Sequence, residues 1–370
     1  MKTLCILHST VMGGATISFL NLAEGLIRKG VEIVVVIPCA DETFIKELKR
    51  IGAKYIVTTI AFSAYSETDV SRKTWKIYYS KMVSLFKLIR IIRKEKPDVI
   101  HSNTGVVHEG YLCGKIFHIP HVWHLREYQD LDFGLKIIPS KKDFIKKLKK
   151  SNVIAITKDI LSHFQLIESP KHKVIYNGIM HEKQVSLIPT KDNFFLCSSR
   201  ISPEKGHEDV IRCFAKFHEE RPDYKLIILG FGEEEYCSYL QKVCEELKCT
   251  ESVIFEGFKK DVTSYMCRAK ALIVGSLNEG FGRMTAEAAF CGCLVIGRNT
   301  GGTKEIIDEI GGLSFNSNEV LFQHMNFVAT MEKEAYMSIV SAAQQKAVEL
   351  YSIEQNIANI YSFYQSIISK

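Results

Sequence analysis

The sequence predicts an α/β protein built as two doubly wound domains. Three observations carry that expectation. Short apolar strands alternate with amphipathic runs in the first half, the alternation starts again in the second half, and a polar connector separates the two. A chain of 370 residues is also long enough to give each half its own core.

In the first half, residues 3–7, 32–37, 98–101, 121–124 and 153–156 read as strands. Residues 15–29, 41–51 and 106–117, and a long basic segment from Ser71, carry the apolar spacing of helices between them. In the second half, residues 194–198, 225–229, 253–255, 271–274 and 294–296 repeat the strand pattern, again with helices between. Strands followed by helices imply parallel sheets covered on both faces. Residues 181–193 are polar and read as the hinge. The expected domains are residues 1–183 and 184–352, with the last helix, 353–368, within a terminal segment 353–370.

One stretch is far more specific than these patterns. Gly275 to Glu305 carries Glu279, then Gly280-Phe281-Gly282, then a helical run with Glu287, a strand, and a second glycine turn at Gly301-Gly302. A helix start leaves amide N–H groups unpaired and bears partial positive charge. Glycines there remove the side chains that would hold an anion away, so Gly280 and Gly282 suit a phosphate before a helix that begins near Arg283. Carboxylates accept hydrogen bonds from paired hydroxyls, which makes Glu279 and Glu287 natural readers of sugar diols. Either glutamate alone reads as well as a solvated side chain; the glycines between them favour a ligand bearing both diphosphate and hydroxyls.

Composition excludes several classes. Hydrophobic residues make up 46% and charged residues 24%, as in globular proteins. No apolar run approaches the ~20 residues of a spanning helix. The N-terminal apolar run is interrupted by His8 and reads as a buried strand, not a signal peptide. Eleven cysteines are scattered without a C-x-x-C pair, which favours a reducing, cytoplasmic setting. No Walker loop, no G-x-S-x-G elbow and no G-x-G-x-x-G is found. His118 and His121 lack metal-site spacing. Asp130-Leu131-Asp132 has the D-x-D form used for metal binding elsewhere but lies in a polar loop, so no metal is expected.

The net charge of +6 is unevenly spread. Residues 72–96 hold nine Lys/Arg and one Glu, with Trp75, Tyr79, Met82, Phe86, Ile89 and Ile92 at helical spacing; residues 136–150 hold seven lysines around Phe144, Ile145 and Leu148. Such segments suit the surface of an anionic membrane, or are ordinary helices with a solvated basic face. No nucleic-acid-binding signature accompanies the charge, so no nucleic acid is expected.

Glu279-GFGRMTA-Glu287 resembles the Glu-x7-Glu motif of the retaining nucleotide-sugar glycosyltransferases of the GT-B fold, in their group-1/family-four class. The likeness recurs at Val174-Ile175-Tyr176-Asn177-Gly178, Ser199-Arg200-Ile201-Ser202-Pro203-Glu204-Lys205-Gly206, Ile228-Leu229-Gly230-Phe231-Gly232-Glu233 and Phe255-Glu256-Gly257-Phe258. It implies two Rossmann-like domains facing across a cleft, with the last helix packed back on the first. It implies that Arg200 and Lys205 meet the charge of the departing diphosphate. Glu279 would hold donor-sugar hydroxyls beside the Gly280, Phe281 and Gly282 amides, and Glu287 the ribose diol. Gly230, Gly257 and Phe258 would border the nucleotide, and Gly13 and Gly14 would approach the diphosphate. His124 would hydrogen-bond the sugar near the reaction centre, with His101 a second strand-end candidate. The implied reaction is metal-independent transfer from a UDP-, GDP- or similar nucleotide sugar to a glycan or lipid-linked acceptor in cell-surface polysaccharide synthesis. The setting would be the cytoplasm, with peripheral contact at the inner face of the plasma membrane. A nucleotide-sugar epimerase and a non-catalytic nucleotide-sugar-binding module stand as rivals; a glycosidase does not explain the glycine-rich phosphate site.

Overall fold

The computed structural model describes residues 1–369, with the side chains of residues 67–74 outside the description. Ser71 and Arg72, from which the basic segment was expected to run, fall in that stretch. The chain divides into two compact units: Met1–Gly178 with Ile353–Lys370, and Ile179–Ser352. The boundary lies at Gly178, not at 183, because the connector belongs to the second unit. There Glu182–Gln184 form a 3-10 turn and the Ser186 amide donates to Phe290 O at 3.1 Å.

The first unit contains β1 (Lys2–Ile6), α1 (Gly14–Arg28), β2 (Glu32–Ile37), α2 (Glu42–Arg50), β3 (Lys54–Val57), β4 (Ala64–Tyr65), α3 (Glu67–Glu95), β5 (Val99–Ser102), α4 (Glu109–Phe117), β6 (His121–Leu125), α5 (Asp130–Phe133), β7 (Lys136–Ile137), α6 (Lys141–Leu148), β8 (Asn152–Ala155), α7 (Lys158–His163) and β9 (His172–Val174). Seven strands form one parallel sheet in the order β3-β2-β1-β5-β6-β8-β9, and β4 pairs with β7 in a small antiparallel ribbon. Every residue of β5 and β6 is buried, as expected of central strands with helices on both faces. Side-chain caps fix several helix starts: Asp41 accepts from the Phe44 amide at 2.7 Å and Thr157 from the Ile160 amide at 3.2 Å. The C-terminal helix, Ile353–Ile368, packs on α1, where Gly25 leaves the space: a Cβ there would lie 2.0 Å from Ile357 Cδ1.

The second unit contains β10 (Phe194–Ser198), α8 (His207–Glu220), β11 (Lys225–Leu229), α9 (Glu234–Glu246), β12 (Val253–Gly257), α10 (Thr263–Arg268), β13 (Ala271–Val274), α11 (Arg283–Phe290), β14 (Leu294–Arg298), α12 (Gly301–Ile310), β15 (Leu313–Phe315), α13 (Asn318–Thr330) and α14 (Lys333–Tyr351). Its six strands are parallel, in the order β12-β11-β10-β13-β14-β15. Both units are thus Rossmann-like.

The helix expected over 106–117 begins only at Glu109, since residues 103–108 form the loop after β5. The short strands β3, β9 and β15 were not foreseen. Of the stripe expected along the basic helix only Ile92 is buried and Ile89 half-buried, whereas Trp75 is 77% exposed and Phe86 61%, with Tyr79 and Met82 also exposed; Ile77 and Leu88, outside that stripe, pack inward. In α6, Phe144, Ile145 and Leu148 face the core, so its apolar residues serve packing. Among the described residues no helix is long and apolar enough to cross a membrane.

Candidate active site

In each sheet the strand order reverses direction at one point, and loops after the flanking strands splay apart to leave a ligand crevice. In the second sheet that point lies between β10 and β13. The loop after β10 carries Arg200 and Lys205; the loop after β13 carries Glu279. Residues 74 positions apart therefore meet, and Lys205 Nζ donates to Glu279 Oε1 at 2.6 Å.

Backbone contacts between glycines hold these loops together. After a 3-10 turn at Pro203–Lys205, Gly206 adopts φ +67° and starts α8. A Cβ there would lie 2.2 Å from Gly275 O, so both loops need bare backbone at the crossing. The Leu277 amide donates to Glu204 O at 2.9 Å. Arg298 adds a clamp, Nε donating to Gly275 O at 2.9 Å while its other end pairs with Asp209 at 2.6 Å. Arg200 extends into solvent and pairs with Glu204.

Past Glu279 the chain enters α11 through Gly282 at φ +81°. The start of α12 packs against the same loop: the Gly302 amide donates to Glu279 O at 2.7 Å, and a Cβ on Gly302 would lie 2.5 Å from Phe281 O. Two helix starts thus border the Glu279–Gly282 loop. The buried hydroxyls of Thr285 and Thr303, unpaired among the described residues, lie 3.2 and 3.1 Å from where a Cβ on Gly282 would stand. The Phe281 ring turns inward, edge-on to Tyr351 at 5.8 Å, which leaves this loop its backbone as the outward-facing part. Glu287 pairs with Arg283 at 2.7 Å; burial raises its carboxyl pKa, and the Arg283 charge opposes that shift.

Gly230, Gly257 and Phe258 come to the same end of the sheet. Gly230 has φ +142°, and a Cβ would fall 1.9 Å from Ser199 O. Its amide donates to Gly257 O at 2.9 Å, past a register shift between Ile228 and Leu229. Phe231 and Phe258 are exposed, their rings 6.2 Å apart and edge-on.

In the first unit Gly13 caps α1 and Gly14 is its first residue, both exposed, with no acidic residue in the first turn. His124 is the next-to-last residue of β6, one short of the strand end expected for it, and its side chain is 0% exposed, enclosed among groups of the first unit. His124 Nδ1 lies 3.2 Å from His101 Nε2 and 3.4 Å from an Arg126 nitrogen. His101 Nδ1 in turn accepts from the Tyr364 hydroxyl of the C-terminal helix. Burial, then the Arg126 and His101 charges, hold His124 well below its ordinary pKa, so it is neutral. Arg126 itself donates to Asn103 Oδ1 at 3.0 Å and to Asn177 Oδ1 at 2.7 Å.

The discounted aspartates are engaged elsewhere: Asp130 with Lys141 at 2.7 Å and His163 at 2.8 Å, and Asp132 with the Tyr128 amide at 2.7 Å. His121 bonds Ser102 Oγ at 2.9 Å, and His118 caps α4 in the left-handed region.

Sequence reasoning gave no role to Gly206, Gly275, Arg298 or the threonine pair, and Gly302 only a place in a glycine turn. Gly206, Gly275 and Gly302 were legible as glycines, but their contacts depend on the crossing of loops far apart in sequence.

Two parallel-sheet units, the second with cationic and carboxylate side chains at its switch point, define a GT-B glycosyltransferase architecture. Anabaena HepE, solved in complex with UDP, superposes with a TM-score of 0.80 at 20% identity, over 99% of this chain and 100% of its own. Residues 12–183 match the Glycosyltransferase Family 4 domain and residues 179–346 match Glycosyl transferases group 1. The chain belongs to the group-1 glycosyltransferases. An uncharacterized glycosyltransferase of Methanocaldococcus jannaschii is 25% identical over 97% of both chains. The Campylobacter jejuni N-acetylgalactosamine-N,N'-diacetylbacillosaminyl-diphospho-undecaprenol 4-alpha-N-acetylgalactosaminyltransferase is 30% identical over 50% of both.

Proposed function

We propose that this glycosyltransferase moves a sugar from a nucleoside-diphosphate donor to a hydroxyl of a growing glycan or lipid-linked acceptor, with retention of anomeric configuration. The observation that carries the reading is the Lys205–Glu279 pair at the second sheet's switch point, beside the starts of α11 and α12. A cation there meets charge on a departing diphosphate, and the neighbouring carboxylate accepts from sugar hydroxyls. The ion pair is then a resting arrangement that the donor exchanges for its own two ends. Arg200 supplies a second cation, Glu287 binds the ribose diol, and Gly230, Gly257 and Phe258 border the base. Gly13 and Gly14 bring amides toward the diphosphate.

In the transfer step the acceptor oxygen bonds to the anomeric carbon as the sugar–phosphate C–O bond breaks. Its electron pair leaves on the diphosphate, and the acceptor proton passes to the departing phosphate oxygen on the same face. His124, enclosed and neutral, acts in this reading as a positioning residue for Arg126. Cations and amides meet the leaving-group charge, so no metal is invoked.

Two relatives support the donor and acceptor classes: the UDP complex of HepE, and the diphospho-undecaprenol in the name of the Campylobacter enzyme. A role in cell-surface polysaccharide synthesis follows from such an acceptor. Peripheral contact with an anionic membrane on the cytoplasmic side is part of the same reading; the exposed Trp75, Tyr79, Met82 and Phe86 of α3 favour it.

The test is thermal stabilisation against UDP-, GDP-, ADP- and TDP-sugars, followed by acceptor-dependent release of the nucleoside diphosphate. One donor class should raise the melting temperature, and EDTA should leave turnover intact. Stabilisation by none of them would remove the reading; activity lost to EDTA and restored by magnesium would remove its metal-free form.

A further inference from the structure

The first sheet has its own switch point, between β1 and β5. At the carboxyl ends of its strands lies a cavity of about 170 Å³ lined by His8, Phe62, Thr104, Glu127, Gln129 and Phe133, among others. His8 follows β1, Thr104 follows β5 and Glu127 follows β6, so the cavity sits where a doubly wound sheet opens for a ligand. The reading above uses none of these six side chains.

Gln129 singles the cavity out. Its backbone is held at φ +74°, ψ −57°, outside the left-handed well that non-glycine residues occasionally use. Such a conformation is unfavourable and persists only where its surroundings impose it. The residue is 1% exposed, yet neither end of its amide has a hydrogen-bond partner among the described residues. Buried amides without partners are rare and destabilising. The amide has room only because residue 105 is glycine: a Cβ there would lie 2.1 Å from Gln129 Nε2.

The other lining groups share one chemistry. Glu127 lies 3.5 Å from the Thr104 hydroxyl. Burial pushes its carboxyl up to about 7, against the pull of Arg126, so near neutrality it both donates and accepts. His8 meets Phe62 edge-on at 6.2 Å, and the Phe133 ring is exposed at the rim. Acid, amide and hydroxyl groups beside aromatic faces match the alternating hydroxyl and C–H surfaces of a sugar ring. A volume equal to roughly five or six waters admits one such ring.

We infer that this cavity seats a single sugar ring of the acceptor, with the Gln129 amide and Glu127 carboxyl reading its hydroxyls. The inference rests on the transferase reading and names the acceptor's recognised end as a pyranose rather than lipid or peptide. Gln129 sets which ring is accepted, and Gly105 keeps Gln129 in place.

The experiment is ligand-observed saturation-transfer NMR on the full chain. The probes are the methyl glycosides of glucose, galactose, N-acetylglucosamine and N-acetylgalactosamine. At least one should show transfer, weakened roughly tenfold in Gln129→Leu, as loss of paired hydrogen bonds implies, and likewise in Gly105→Ala. Melting temperatures without ligand report whether the variants fold, and Phe133→Ala, at the exposed rim, supplies a third variant with little risk to folding. Transfer to no glycoside, or transfer unchanged in every folded variant, overturns the inference. Nucleotide-sugar stabilisation, measured in parallel, separates the two readings. A donor that binds where no glycoside does sinks the cavity alone; glycosides that bind where no donor does sink the donor reading alone.

Discussion

At the scale of single residues, Lys205 and Gly230 make different demands. Lys205 is tied to Glu279 at 2.6 Å, with both side chains mostly covered. Lys205→Ala should lower turnover by ~10²–10³, the usual cost of one preorganised donor to a developing anion. Donor stabilisation should change far less; equal losses in both would make the lysine a simple binding group. Gly230→Ala asks for a Cβ 1.9 Å from Ser199 O at φ +142°. It should destabilise the second unit by about 2 kcal/mol or more, seen as a lower urea midpoint. An unchanged midpoint would show that the two loops part easily. Glu279, Glu287 and their glycines were legible as residues, because a carboxylate, a glycine turn and a helix start follow one another within nine positions. The enclosure of His124 was not legible. A histidine at a strand end looks the same in sequence whether a neighbouring tyrosine covers it or a ligand does, and here Tyr364, 240 positions on, is part of its network.

At the scale of elements, α3 is the informative case. Its spacing of apolar residues told of a helix but not of which face is used, since two apolar stripes run along it. Ile77, Leu88 and Ile92 pack inward; Trp75, Tyr79, Met82 and Phe86 do not, and Trp75 stacks on Tyr79 with centroids 5.8 Å apart. Replacing all four exposed residues by serine should reduce binding to vesicles containing anionic phospholipid, with the melting temperature little changed. Unaltered partitioning would leave α3 a helix with an unusually apolar solvated face. The strands β3, β9 and β15 escaped prediction for a related reason. They are three or four residues long at or near the sheet edges, and pairing with a longer neighbour defines them more than their own composition does.

At the scale of the whole molecule, buried histidines set the response to acid. Burial holds His101 and His121 down to about 3 and His207 to about 4, and keeps His108 and His124 well below 6.5. Between 6.5 and those values the unfolded chain takes up protons that the folded chain does not. Stability present above pH 6.5 is therefore lost as the pH falls, by about 1.4 kcal/mol per pH unit for each histidine. Glu109, Glu127 and Glu287 act the other way: burial raises their folded pKa values, so the fold gains as they protonate. Five histidines outweigh three carboxyls, and the urea midpoint should be lower at pH 5.5 than at 7.5. A higher midpoint at pH 5.5 would mean that the carboxyls dominate.

The sequence by itself determined the α/β class, the repeat of strand–helix alternation in two halves, and the Glu279–Glu287 segment. All of these depend on periodicity or on residues close together in the chain. Tertiary structure decided which side chains meet. Lys205 finds Glu279 because the β10 and β13 loops cross at a switch point, and Gln129 lies beside Gly105 because the β5 and β6 loops share one sheet end. Such pairings are fixed by strand order, which is set by packing over the whole sheet and leaves no local mark in the chain.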